Sequence, residues 1–188
     1  MTDFIVRPLT GETWPGFARL VETNNGVWGG CWCMGFHAKG EGWGKSAGLN
    51  RKEKESLGRE GRAHAALVYN GDECVGWCQF GSPAELPRIK NRRSYLATNR
   101  QLPDWRITCF FTGKGYRGQG IASIALKGAL REIQRLGGGL VEAYPEDTDG
   151  RKVSGSFLVN GALSMFEEHG FVRNRKIGKH KWVVARVA

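Results

Sequence analysis

The residues best suited to chemistry in this chain are Arg117-Gly118-Gln119-Gly120-Ile121-Ala122. They follow the apolar, β-branched run Ile107-Thr108-Cys109-Phe110-Phe111-Thr112. Behind them, Ile121, Ile124, Ala125, Ala129, Leu130, Ile133 and Leu136 recur at helical spacing. A strand, a glycine turn and a helix in that order make an anion cradle. The first backbone N–H groups of a helix lack intrahelical partners and together carry about half a positive charge. Gly118 and Gly120 let the main chain approach phosphate oxygens closely, and Arg117 adds a permanently charged fork. The turn is therefore expected to hold a phosphate or pyrophosphate. No Gly-Lys-Ser/Thr follows, so it is not a P-loop. Gly113-x-Gly115-x-x-Gly118 meets the bare dinucleotide spacing. Those glycines precede the helix entry, however, and no acidic residue ends a following strand about twenty residues on, Glu142 being the nearest.

The elements that must position this turn read as follows. Phe4 to Leu9 is a first strand, and Trp14, Phe17, Leu20 and Val21 define a helix near Thr13 to Glu22. The Gly- and Trp-rich stretch from Asn24 to Gly48 has no period; its length marks a lid or binding loop, and its aromatics argue for packing. Asn50, with Glu53 three residues later, reads as the capping box of a charged second helix ending near Gly58 or Gly61. Residues 65–69 and 74–80 form a hairpin about Asn70-Gly71. Arg88, Lys90, Arg92 and Arg93 read as a solvated basic stretch. Three glycines at 137–139 stop the long helix, strand 140–144 follows, and residues 145–155 form a polar loop. A short helix from Ala162 to His169 precedes strands near 171–176 and 181–187. The fold class is α/β (α+β mixed): one domain spanning residues 1–188, with a mixed six- to seven-stranded sheet and helices on both faces.

Arg117-x-x-Gly120-x-Ala122, after an apolar strand and opening an amphipathic helix, resembles the acyl-CoA signature of the GNAT superfamily, Gln/Arg-x-x-Gly-x-Gly/Ala. Met165-Phe166-Glu167-Glu168-His169-Gly170-Phe171 is similar to that family's closing helix. Together the two motifs cover roughly residues 105–187; the amino-terminal half matches in element order alone. The resemblance implies acetyl-CoA as co-substrate. Backbone of Cys109, Phe110, Phe111 and Thr112 would pair with the pantetheine, and the N–H groups of Gly118, Gln119, Gly120, Ile121 and Ala122 would hold the pyrophosphate, beside Arg117. The thioester would enter a gap between strands 107–112 and 140–144. A neutral amine would then attack it directly in a ternary complex, with a tetrahedral intermediate whose oxyanion a backbone N–H on the fourth strand stabilises.

The sequence departs from the family pattern at Phe166, where a tyrosine often protonates the leaving thiolate. A thiol is a tolerable leaving group, so the acid is expected to be water, Tyr144 or Ser164, or to be absent. For the general base, Glu142 beside the expected gap comes first, then Glu41 and His37. Cys109 on the cofactor strand reads as core in preference to an acyl-cysteine. Trp28, Trp32, Phe36, Trp43 and Trp77 are candidates for the wall of the acceptor pocket, with loop packing as the competing explanation.

With 28 Lys and Arg against 18 Asp and Glu, the formal charge is +10. Such a field favours polyanions and disfavours a polycationic acceptor. The acceptor is expected to be an amine-bearing small molecule or a protein terminus, neutral or anionic. Five cysteines, no long apolar run and no amino-terminal signal pattern suit a reducing cytoplasm. Cys31-x-Cys33-x3-His37 has too short a pair spacing and no second pair, so no metal is expected. No membrane partner is expected, and a homodimer is allowed. Two other functions compete: a non-catalytic acyl-CoA sensor, favoured by Phe166, and an acetyltransferase acting on a nucleic-acid-associated substrate, favoured by the charge. No RNA-stacking pattern is present, so nucleic acid is not expected as a partner.

Overall fold

A computed structural model describes residues 3–38, 46–98 and 101–188. Glu41 and Trp43, read above as a base and a pocket residue, lie outside the described residues. The elements are β1 (Phe4–Pro8), α1 (Trp14–Thr23), α2 (Ala47–Arg59), β2 (His64–Asn70), β3 (Glu73–Gly81), α3 (Arg92–Thr98), β4 (Trp105–Thr112), α4 (Ile121–Arg135), β5 (Leu140–Ala143), α5 (Leu163–Glu168), β6 (Val172–Lys176) and β7 (Trp182–Val187). Seven strands form one sheet in the order β1-β2-β3-β4-β5-β7-β6. Only β4 and β5 run parallel; the other pairs are antiparallel. The mixed sheet, its strand count and its helical cover agree with the fold class read from the sequence.

Period-two alternation assigns the two faces. Ala66 and Val68 of β2, Val75 and Cys78 of β3, and Val141 and Ala143 of β5 pack against the apolar stripe of α4 and against Leu163 and Phe166 of α5. Leu67, Tyr69 and Trp77 point the other way, onto Trp14, Phe17 and Val21 of α1 and Leu57 of α2. Further along that face, Tyr95, Tyr144 and Val183 form a smaller cluster. Gly128 lets α4 sit close on β1, since a Cβ there would lie 2.4 Å from Val6 Cγ1.

Two readings need correction. Asn50 is no cap: α2 begins at Ala47, and Asn50, buried inside it, donates a 2.9 Å bond to the Gly30 carbonyl. The basic stretch is partly helical, because Arg92 and Arg93 open α3, whose one buried residue is Tyr95. One contact residue gives no apolar period to read. Among the described residues no helix is long and apolar enough to cross a membrane.

Candidate active site

The site begins where two strands part. β5 pairs with β4 over Trp105↔Val141, Arg106↔Glu142 and Ile107↔Ala143, then ends, while β4 continues to Thr112. At the same level β4 carries a bulge: Gln79 faces Cys109 and Phe80 faces Ile107, leaving Thr108 as the extra residue. The freed edge opens into a cleft of about 560 Å³ lined by Phe110, Phe111 and Thr112, by Arg117 and Ala122, by Trp28, and by Leu158 and Val159. The last two belong to a 3-10 segment, Gly155–Asn160, which begins where the polar loop read from the sequence ends.

The glycine turn closes the outer end of the cleft. Gly118 and Gly120 have φ of 78° and 73°, the left-handed region that other residues reach only under strain. A Cβ built on either would meet nothing within 4 Å. These glycines therefore serve the backbone conformation and leave open space over the start of α4. Among the described residues, no backbone N–H of residues 118–123 finds an acceptor, and the exposed Arg117 makes no ion pair. Unpaired donors and an unpaired guanidinium around an empty concavity fit a pyrophosphate. Cys109 and Ile121 turn their side chains into the core, so only their backbone is free to take part. Gln119 donates to the Gly115 carbonyl and braces the turn.

Trp28 reaches the cleft because residues 25–30 wind left-handed, every φ lying between 43° and 89°. The Gly30 and Cys31 N–H groups both bond the Val27 carbonyl. Trp28 is 48% exposed. Trp32, Phe36 and Trp77 do not wall the pocket. Each is at most 3% exposed, with Trp32 stacked on Trp14 and Trp77 set edge-on to Phe17. Trp32 and Phe36 of the loop pack with Trp77 of β3 in one core, and this explains their place in the sequence.

Glu142 and Tyr144 are not at the cleft either. The Glu142 carboxylate, on the opposite sheet face from α4, accepts from Tyr95 at 2.8 Å and Tyr144 at 3.2 Å. Both residues are almost fully buried. Burial, opposed in part by the Arg106 guanidinium, pushes the Tyr144 phenol well above its usual range, so its proton stays on the bond to Glu142. Phe166 packs edge-on behind Phe110. Ser164 opens onto a separate hollow with Asp147 and Asp149.

Sequence reasoning missed a buried polar chain on the loop side of β4. Lys54 of α2 donates to Gln79 at 2.7 Å and sits 3.1 Å from His37 Nε2. Gln79 in turn donates to the Thr108 hydroxyl at 3.2 Å. Burial lowers Lys54 to about 8 and, with Lys54 beside it, His37 to about 2. A histidine so held is buried against Lys54 and is not among the residues lining the cleft. The charged, surface-like pattern of α2 hid the one lysine turned inward.

His37 carries a pH prediction. Below pH 6.5 the unfolded chain protonates this ring, while the folded chain refuses the proton down to about pH 2. Stability is therefore lost as pH falls through that window, by about 1.4 kcal/mol per pH unit. Denaturant melts at several pH values should show a steeper acid slope for the native chain than for His37→Gln.

Cys31, Cys33, Cys74, Cys78 and Cys109 are all buried free thiols. Among the described residues no group of three or more His, Cys, Asp or Glu is placed to hold a metal ion.

Comparison with known proteins agrees with this geometry. Residues 19–152 match the model of the acetyltransferase (GNAT) family. That match reaches further towards the amino terminus than the two motifs, and it stops before the Gly170-Phe171 ending. Curated protein sequences give no match. Among solved structures, a GNAT-family acetyltransferase from Desulfovibrio desulfuricans superposes with a TM-score of 0.56 at 13% identity, covering 98% of this chain and 99% of its own. An acetyltransferase from Thermus thermophilus gives 0.53 at 13%, covering 98% and 97%. The ribosomal-protein-S18-alanine N-acetyltransferase of Escherichia coli gives 0.52 at 10%, covering 98% and 94%. At such identities the likeness is one of fold, and the family follows from the sequence match: this chain belongs to the GNAT acetyltransferase family.

Proposed function

We propose that this chain transfers an acetyl group from acetyl-CoA to an amine, by direct attack in a ternary complex. The observation that carries the reading is the fork between β4 and β5, which opens into a cleft ending at a glycine turn with unpaired N–H groups. Acetyl-CoA would supply the reactive thioester. The open edge of Phe110 to Thr112 would take the pantetheine as an added strand, residues 118–122 and Arg117 would hold the pyrophosphate, and Trp28 would cover the cleft. Neither Glu142 nor Tyr144 enters this reading, because each is committed to the other's hydrogen bond. The acceptor is proposed to be a small molecule or a protein terminus, neutral or anionic, in keeping with the +10 charge.

Calorimetric titration with acetyl-CoA tests the seat. Binding is expected for the native chain and about tenfold or more weaker for Gly120→Glu, which strains a left-handed position and sets a carboxylate at the anion turn. No binding at millimolar ligand, or equal binding by Gly120→Glu, refutes it. A chain that binds but acetylates nothing in a broad amine panel would instead be a sensor.

A further inference from the structure

Ser123 and His169 meet beside the anion turn. Gly120 caps α4 without a side chain, and the first intrahelical bond runs from the Ile124 N–H to its carbonyl. In an ordinary cap, a side-chain oxygen at that position accepts from the N–H two or three residues on, here Ala122 or Ser123. An oxygen of the pyrophosphate would take the place of that side-chain oxygen. The Ser123 hydroxyl belongs to the same residue as one of these N–H groups, so both lie within reach of one phosphate. Residues three apart share a helix face, which sets Ser123 beneath the open space over Gly120.

Ser123 Oγ lies 2.7 Å from Nε2 of His169, the residue that follows α5. Among the described residues this is the one hydrogen bond of either side chain. The ring is half-buried, and Arg186 of β7 donates to the His169 carbonyl. Burial holds the imidazole below its usual range of protonation. Arg186 and Lys127 of α4 act in the same direction, and the neighbouring Glu168 acts against them. In a neutral ring the bond can run either way, with Nε2 accepting from the hydroxyl or donating to it. A protonated ring allows only one arrangement. Nε2–H then donates to Oγ, and the hydroxyl hydrogen is freed for another acceptor.

On the acetyl-transfer reading above, we propose that the Ser123 hydroxyl donates to the pyrophosphate of acetyl-CoA, and that His169 is its positioning residue, taking up a proton from solvent as the cofactor binds. The doubly charged pyrophosphate arrives at the start of α4, and an anion within about 4–6 Å of an imidazole favours its charged form. The ring then carries a hydrogen on both nitrogens, Nε2–H fixes Oγ, and the hydroxyl turns to the phosphate oxygen. Binding and proton uptake are thereby linked, which packing of the ring alone would not produce.

Magnetic resonance of the His169 ring, followed against pH in the native chain with and without 3′-dephospho-acetyl-CoA, reads the uptake without an acceptor. This probe keeps the pyrophosphate and lacks the monoester, which itself ionises at about pH 6. The midpoint of the ring is expected to rise by about one pH unit or more on binding, and by less than half as much in Ser123→Ala. Affinity for the same probe should tighten about fivefold from about pH 7.5 to about pH 5.5 in the native chain, and by less than about twofold in His169→Gln. That variant keeps a donor for Oγ and cannot titrate. Acetyl-CoA itself, read as the difference between the native chain and His169→Gln, is the second probe. The native titration decides alone if the variants fail to fold. A midpoint unmoved by ligand, or equal pH dependence in the native chain and His169→Gln, overturns the inference while leaving the transfer reading intact. A native chain that binds neither probe overturns both.

Discussion

Gly76→Ala is expected to lower stability by about 3 kcal/mol and to weaken acetyl-CoA binding at the same time. Gly76 lies on β3 opposite Thr112. A Cβ there would stand 2.5 Å from Ile121 Cγ2 and 2.8 Å from the Phe111 carbonyl oxygen. The oxygen belongs to the main chain and Ile121 is the first, buried residue of α4, so neither can turn aside cheaply. Relief requires β4 and the start of α4 to separate, which shifts the cleft edge and the anion turn together. For a chain of this size the thermal midpoint should drop by roughly 6–12 °C. A melt unchanged within about 1 °C would show that the sheet and helix are less tightly coupled at this point than the distances imply.

The second large effect is expected at Glu142. Removing the carboxylate in Glu142→Ala strands the buried Tyr95 and Tyr144 hydroxyls, the first of which Arg106 also reaches. Arg106 Nη1 retains its bond to the Leu86 carbonyl, and Nη2 reaches Tyr95 at 3.5 Å. Breaking a buried charged cluster from one side typically costs about 3–5 kcal/mol. Glu142→Gln keeps one acceptor oxygen and should cost only about 1 kcal/mol. Denaturant unfolding of the two variants checks the ranking. The comparison also separates two roles: a structural carboxylate predicts that Glu142→Gln stays active. A stable but inactive Glu142→Gln would restore the general-base reading drawn from the sequence.

The carboxy-terminal half of the fold was legible because its signals are local. An apolar β-branched run, two turn glycines and an amphipathic stripe mark β4, the turn and α4 nearly to the residue, with α4 read to Leu136 and found to end at Arg135. The cofactor-side candidates Phe110, Phe111, Thr112, Arg117 and Ala122 do line one cleft. The reactive end was not legible, for physical reasons. Glu142 was chosen for its strand, but strand parity turns it away from α4, and the β4–β5 pairing is still closed at that residue. The aromatics were candidates for a pocket wall with loop packing as the competing explanation; Trp28 lines the cleft, whereas Trp32, Phe36 and Trp77 are buried in the core. Lys54, Gln79 and Thr108 are far apart in the sequence and ordinary in type. The packing of α2 on β3 and the pairing of β3 with β4, not any local signal, bring them together.

The open edge of the sheet at β6 has a consequence for how the molecule behaves in company. An exposed strand with unpaired backbone groups is a template on which a second chain can add its own strand. β6 is short, shifts register between Arg173 and Arg175, and carries Arg173, Arg175 and Lys176 over its mostly exposed length. Arg173 and Lys176 also lie over the Trp182 ring, shielding an apolar face at that border. Part of the +10 charge is thereby placed where it discourages fibre-like stacking of identical copies. Neutralising these three cations together should leave the fold intact and make the protein precipitate at lower concentration.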